Sequence, residues 1–174
     1  MDLQAKARST ITLAVLALLF VIGVVWAWSA VTEPFPEPEE TPDCVEEQFT
    51  AGSRLRPGDV LVNVMNAGNQ EGLARNTMDA LVRHGFGEGS RGNATVPKGS
   101  SGPQVWTSDP GSPAARLVAS YLGPRADIVE QTTAEEGITV VVGDSFPGVV
   151  KGMRSIRVQE DTWVCAPYDP QIDG

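Results

Sequence analysis

The chain has little of what metal sites and nucleic-acid sites require. It contains one histidine, His84, and two cysteines, Cys44 and Cys165, in 174 residues, with 13 basic against 22 acidic side chains. One histidine and two widely separated cysteines do not supply the usual zinc shell, so the sequence predicts no metal site. The net charge of −9 comes without a cluster of basic residues. Nucleic acid is therefore not expected as a partner.

Motifs for catalysis and for cofactors are also missing. Ser145, in the string GDSFPG, matches only part of the G-x-S-x-G nucleophile turn, and no general base is assigned to it. His84 is expected at a helix C-terminus, where an imidazole interacts with the last carbonyl groups. The carboxylate pair Glu135-Glu136 falls in an expected loop. The sequence predicts that the protein is not an enzyme and uses no cofactor. A hydrolase or transferase that depends on Ser145 or His84 is the alternative.

One long apolar run is present at residues 11–31, which contain no ionisable side chain. At about 1.5 Å per residue, a helix of this length crosses the roughly 30 Å hydrocarbon core of a bilayer. Lys6 and Arg8 precede the run and Arg54 is the next basic residue, which predicts a cytoplasmic N-terminus and an extracytoplasmic remainder. A cleaved signal peptide is the alternative, although the run exceeds the usual length of about 7 to 15 apolar residues. Either outcome exports the rest of the chain.

Composition then divides the chain into five parts. Repeated prolines and acids oppose packing in a stalk that follows the membrane span, and the remainder has the size of one domain with one core. The expected parts are a cytoplasmic N-terminus (residues 1–10), a transmembrane helix (11–31), an acidic proline-rich stalk (32–55), an extracytoplasmic domain (56–150) and a C-terminal extension with a hairpin and a tail (151–174).

The two cysteines flank the expected domain. A disulfide between Cys44 and Cys165 would join the two ends of the folded unit, and thiols outside the membrane can stay oxidised. Two free thiols, or bonds to a partner chain, are the alternatives to this internal bond.

Hydrophobic periodicity predicts an α/β domain. We expect a two-layer sandwich in which a mixed sheet of four or five strands carries two helices, in the order β-α-β-β-α-β-β. The stretch 86–102 is rich in glycine and reads as a loop with a short strand at 94–96. The predicted strands are 59–65, 104–108, 126–131 and 138–142, the helices are 72–84 and 113–122, and a terminal hairpin pairs 155–158 with 162–165.

Several short strings, in this order along the chain, resemble the LytR C-terminal domain family. The first strand ends in VNVMN at residues 62–66, the first helix begins Gly72-Leu73-Ala74, and the string LVRHGF at 81–86 ends that helix. The Asp-Pro-Gly turn within 105–111 and the string VVVGDSF at 140–146 follow in the family's order. The resemblance covers residues 59–146. Ala67 and Ser145 depart from the family's pattern, since glycine and an acid often stand at these two positions.

The resemblance implies a cell-envelope role. This domain occurs at the end of LytR/CpsA/Psr proteins, which attach glycopolymers to the bacterial wall, and also alone behind one membrane span. The present chain is similar to the second arrangement, since no room remains for the separate catalytic domain. The resemblance therefore implies a membrane-anchored accessory or binding module in a Gram-positive-type envelope, with a wall glycopolymer or an envelope protein as partner. A structural module that engages a membrane protein or itself is the alternative.

Two groups of residues are candidates for binding an acidic ligand. The turn with Asn66, Gly68 and Gly72 leads into a helix N-terminus, where free N–H groups can hold an anion. Its alternative role is that of a structural turn between strand and helix. The second group is made of basic residues that recur every three positions, Lys151, Arg154 and Arg157. Their charged side chains can pair with phosphates or carboxylates. The alternative is that they are ordinary solvated surface residues with no ligand.

Overall fold

The computed structural model describes residues 15–26, 28, 44–96 and 102–168 of the chain. Two compact units are present, Met1–Thr41 and Pro42–Gly174. In the first unit, residues 15–26 and 28 are helical (α1), and their large apolar side chains are exposed. The other residues of the predicted span lie outside the described residues, as do residues 1–10 and 32–43. Within the described part of the chain, no helix combines the length and hydropathy needed to cross a membrane.

A five-stranded mixed sheet is the centre of the second unit, in the order β4-β3-β7-β5-β6. Strand β3 pairs in parallel with β4 and with β7, whereas β5 pairs in parallel with β6 and antiparallel with β7. In chain order the described strands are β1 (Cys44–Phe49), β2 (Arg54–Leu55), β3 (Leu61–Asn66), β4 (Gly87–Asn93), β5 (Gln104–Thr107), β6 (Asp127–Glu130), β7 (Ile138–Val142), β8 (Ile156–Arg157) and β9 (Thr162–Pro167).

Two helices complete the order β-α-β-β-α-β-β, so the predicted α/β sandwich is confirmed. Helix α2 spans Leu73–Arg83, and Gly85 follows it with a φ of 97° that favours glycine. Helix α3 spans Pro113–Leu122, and the Ser112 hydroxyl accepts a hydrogen bond from the Ala115 N–H at 3.1 Å. That bond satisfies one of the N–H groups that the first turn of a helix leaves without a partner.

Both helices pack on the same core. Alternate side chains of β3 and β7 point to one face of the sheet and meet apolar residues of α2 and α3 in a single buried cluster. The largest members of that cluster that are fully enclosed are Leu55, Val60, Val62, Val64, Met78, Leu81, Val105, Leu117, Val118 and Val140. A smaller cluster of Met65, Trp106 and Val141 occupies the other face. The sheet is therefore apolar on both faces, as its continuous valine-rich strands require.

The predicted terminal hairpin is wrong, because its two strands exist but do not pair with each other. Strand β8 pairs with β2, and β9 pairs with β1, both antiparallel. The Gly52 N–H donates to the Val158 carbonyl at 2.8 Å and the Val158 N–H to the Ser53 carbonyl at 3.0 Å, which links the two pairings. We call β1, β2, β8 and β9 together the terminal ribbon. Residues 44–55, assigned to the stalk from composition, form one side of this ribbon.

The stretch 86–102 also differs from its prediction, since β4 occupies residues that were expected to form a loop. Its glycines permit an unusually close approach to β3. A Cβ at Gly89 would overlap the Asn63 side-chain oxygen and would lie 2.9 Å from the Val62 carbonyl oxygen. Asn63 is 2% exposed, and its side-chain oxygen accepts the Ser90 N–H at 2.8 Å where the register shifts. The side chain of the buried Asn63 thus makes a hydrogen bond to β4 at a β-bulge, where the regular backbone pairing of β3 and β4 is interrupted.

Candidate functional site

The predicted anion-binding turn is filled by contacts of its own. The Asn66 side chain accepts the Gly68 N–H at 2.9 Å and donates to the Gln70 carbonyl at 2.9 Å. The Asp144 carboxylate, which follows β7, accepts the N–H groups of Asn69 at 2.8 Å and Gln70 at 3.0 Å. These are charge-assisted hydrogen bonds of the kind that a bound anion would otherwise make. Asp144 therefore takes up the N–H groups of Asn69 and Gln70 within this turn, and the predicted ligand role of Asn66, Gly68 and Gly72 stays a prediction.

Gly68 has a structural reason for being glycine. A Cβ at this position would overlap the Asp144 side chain and lie 2.7 Å from the Asp144 backbone nitrogen. Asp144 was not predicted from the sequence as a partner of the turn. The sequence feature that indicates this contact is the position of Asp144 directly after β7, a buried strand that is parallel to β3. The carboxyl ends of neighbouring parallel strands meet at one edge of a sheet, so a residue after β7 lies close to the turn after β3.

A shallow basic depression lies beside this turn, where β3 and β4 end and α2 begins. It has a volume of about 530 Å³ and is lined by Asn66, Gly72, Ala74, Arg75, Arg91, Gly92 and Asn93. Helix α2 starts without a side-chain cap, so its first N–H groups face this end of the sheet without a capping oxygen. Arg75 and Arg91 are exposed, and Glu88 lies 3.2 Å from Arg91 as an ion-pair partner. The depression thus combines guanidinium groups with a helix N-terminus.

Two of the predicted ligand residues, Asn66 and Gly72, line this depression, whereas the predicted basic group lies elsewhere. Lys151 and Arg154 are exposed in a segment without regular structure, and Arg157 is exposed on β8. The Arg157 guanidinium donates to the Gly52 carbonyl at 3.2 Å, across the terminal ribbon. None of the three lines the basic depression. Their role in ligand binding stays a prediction.

The predicted disulfide between Cys44 and Cys165 is confirmed, with a Cα–Cα distance of 5.4 Å. It joins β1 to β9 and closes a loop between residues separated by 121 positions. A carboxylate oxygen of Glu136 lies 3.2 Å from the Cys44 sulfur, which carries no proton in a disulfide. Both sulfur atoms and this carboxylate lie within 4.8 Å of one another, but the sulfurs are bonded to each other and are not thiolate ligands.

The two residues considered for catalysis occupy different settings. The His84 ring lies 5.1 Å from the Tyr121 ring at the end of α2. Burial raises the pKa of the Tyr121 hydroxyl, which donates a hydrogen bond to the Met153 carbonyl at 2.8 Å. Ser145 follows Asp144 in the segment after β7. The prediction that the protein is not an enzyme stays a prediction.

Comparison with known proteins agrees with the resemblance seen in the sequence. Residues 59–146, half of the chain, match the family model LytR_C. A solved structure that aligns with the chain is the soluble domain of a conserved hypothetical secreted protein (Rv2700 ortholog) from Mycobacterium marinum. Its sequence identity is 20% and its TM-score 0.47, with 60% of this chain and 79% of that chain covered. No curated protein matches.

The family match begins just before β3 and ends just after β7. It contains the whole five-stranded sheet with α2 and α3, and it leaves out the terminal ribbon and the disulfide. The chain therefore belongs to the LytR_C family, whose description is LytR cell envelope-related transcriptional attenuator.

Proposed function

We propose that this chain is a membrane-anchored accessory protein of the cell envelope, whose extracytoplasmic domain binds anionic groups of a wall glycopolymer. The observation that carries the proposal is the basic depression at the carboxyl ends of β3 and β4. Arg75 and Arg91 both line it, and its lining contains no acidic side chain. Guanidinium groups recognise phosphates and carboxylates through paired N–H donors, so this surface suits an acidic repeat unit.

The position of the depression supports a ligand site. In α/β sheets, ligands bind outside the carboxyl ends of the strands, where a helix N-terminus adds a partial positive charge. Asp144 already satisfies the neighbouring turn, so the ligand meets the side chains of Arg75 and Arg91 and not the amides of Asn69 and Gln70. The depression is shallow, which fits one repeat of an extended polymer better than an enclosed small molecule.

Two features support the proposed location. The apolar run at residues 11–31 has the length and composition of a membrane anchor, with Lys6 and Arg8 on its cytoplasmic side. The Cys44–Cys165 disulfide requires an oxidising compartment to persist. Protease added to spheroplasts should digest the domain. A reporter fused to the C-terminus that is active in the cytoplasm would contradict this placement.

The binding proposal is tested with the full chain in detergent and a purified phosphate-containing wall polymer. The double variant Arg75→Gln/Arg91→Gln should bind the polymer roughly a hundredfold or more weakly, because each of the two charge-assisted contacts contributes about 1.5 to 3 kcal/mol. Arg83→Gln is the matched control, since Arg83 lies at the opposite end of α2. Its affinity should equal that of the unchanged protein.

A second arm separates the two basic groups. Lys151→Gln/Arg154→Gln removes two charges of the other candidate surface, and we expect little change in affinity if the depression is the site. Binding should weaken with added salt, since the contacts are electrostatic. Unchanged affinity in the Arg75/Arg91 variant would overturn the proposed site. Loss of binding in the Lys151/Arg154 variant alone would indicate that the polymer binds the segment before β8 and not the basic depression.

A further inference from the structure

A second cleft, with the opposite charge, lies between the terminal ribbon and the five-stranded sheet. Two adjoining cavities of about 310 and 190 Å³ form it, and they share Glu46, Thr107, Ser108, Gly137 and Cys165 as lining residues. Glu135 and Glu136 line the larger cavity, and Asp109 and Trp163 the smaller one. Neither lining contains a lysine or an arginine. We call this site the indole cleft.

Trp163 is the feature that distinguishes the cleft from an ordinary acidic surface. It lies in β9 with 60% of its surface exposed, although the neighbouring Val164 is buried. Successive residues of a strand point to opposite faces, so Trp163 shares its face with Cys165, which lines both cavities. A large exposed indole beside polar hydroxyl and carboxyl groups provides an apolar platform at the rim of a polar site.

The walls of the cleft are held in place before any ligand binds. The disulfide fixes β1 to β9, and the Asn63 side chain donates to the Glu136 carbonyl at 2.6 Å. The Thr133 hydroxyl donates to the Glu135 carbonyl at 3.0 Å, and the Asp109 N–H donates to the Thr107 hydroxyl at 3.2 Å. Preorganised walls reduce the ordering cost of binding.

We propose that the indole cleft binds an amine-bearing saccharide. The ring C–H face of a sugar stacks on the Trp163 indole, and the exposed Ser108 hydroxyl exchanges hydrogen bonds with sugar hydroxyls. A protonated amine is attracted by the carboxylates of Glu135 and Glu136 in the larger cavity. Phosphorylated or uronic-acid polymers are repelled by the same carboxylates.

This site is independent of the basic depression. Glu46, Trp163 and both cysteines lie outside residues 59–146, so the cleft is made partly by segments that the family match does not contain. The two sites share no lining residue, so a negative binding result at one site does not bear on the other.

The test uses the full chain in detergent and three oligosaccharide probes of equal length. They are an oligomer of glucosamine with protonated amines, its N-acetylated counterpart and an oligogalacturonate. Calorimetry should show binding of the glucosamine oligomer, at least fivefold weaker binding of the acetylated form, and no binding of the uronate. Preference for the acetylated or the uronate probe would overturn the proposal.

Variants then place the ligand. Trp163→Ala should weaken binding of the glucosamine oligomer roughly tenfold, and Glu135→Gln/Glu136→Gln should remove the preference for the free amine. Tyr168→Ala is the matched control, because Tyr168 is an exposed aromatic residue next to β9 that lines neither cavity. Equal binding by the Trp163→Ala protein, with an unchanged circular dichroism spectrum and thermal midpoint, would overturn the proposed site.

Discussion

Removal of the disulfide is the perturbation whose magnitude the structure defines best. The bond joins Cys44 to Cys165 across 121 positions, so it constrains nearly the whole folded unit when the chain is unfolded. The chain-entropy relation gives about 5 kcal/mol for a loop of this length at 25 °C. Residual structure in the unfolded chain reduces that value, and we expect a loss of about 3 to 5 kcal/mol in the free energy of unfolding.

The folded state of the Cys44→Ala/Cys165→Ala protein should remain intact, because β1 and β9 keep their six paired positions. The effect therefore acts mainly on the unfolded ensemble. For a unit of this size, each kcal/mol changes the melting temperature by roughly 4 °C, so the midpoint should fall by roughly 10 to 20 °C. The slope of the free energy with urea should increase, because the unlinked unfolded chain exposes more surface.

The assay is urea and thermal unfolding of the full chain in detergent, with the oxidised protein, the reduced protein and the double variant compared. Val45→Ala serves as the control, since Val45 is an exposed neighbour in β1. Reduction and double substitution should destabilise to the same extent. A difference below about 1 kcal/mol between the oxidised protein and the double variant would refute the loop-closure reasoning.

Three further predictions concern packing and pH. Gly89→Ala should lower the free energy of unfolding by roughly 1 to 3 kcal/mol, because the added Cβ overlaps the Asn63 side chain. Gly143→Ala is the control, since a Cβ there has nothing within 4 Å, and its free energy of unfolding in urea titrations should change by less than about 0.5 kcal/mol. Asn63→Leu should cost roughly 1 to 3 kcal/mol in total, because it removes the hydrogen bonds of the part-buried Glu136 carbonyl and Ser90 N–H, and a neutral result would contradict this. Because burial raises the pKa of Tyr121, the stability it contributes is present below about pH 10 and is lost as the pH rises through the folded-state pKa. Urea unfolding from about pH 8 to about pH 11 should show this decline in the free energy of unfolding. The decline should be smaller in the Tyr121→Phe protein and unchanged in the Tyr168→Phe protein.

Local patterns predicted the central domain well. The strand Ile138–Val142 and the helix Pro113–Leu122 coincide with their predictions, because a short apolar run and a proline after Ser112 carry their signals within a few residues. The candidate turn was also located correctly between β3 and α2. The carboxylate that contacts this turn was not predicted, since it comes from Asp144, more than seventy positions away in the sequence.

The sequence by itself determined the α/β order and the family, because periodicity and short motifs are local signals. It predicted the bond between Cys44 and Cys165 from an even cysteine count, with other states of the cysteines left open, and the structure shows the bond. Only the tertiary structure decided the partners of the terminal strands, the course of the glycine-rich strand β4 and the two clefts of opposite charge. Composition assigned residues 44–55 to a stalk, yet they pair with residues 156–167. Strand pairing depends on backbone hydrogen bonds between distant segments, and those bonds leave no periodic trace in either segment alone.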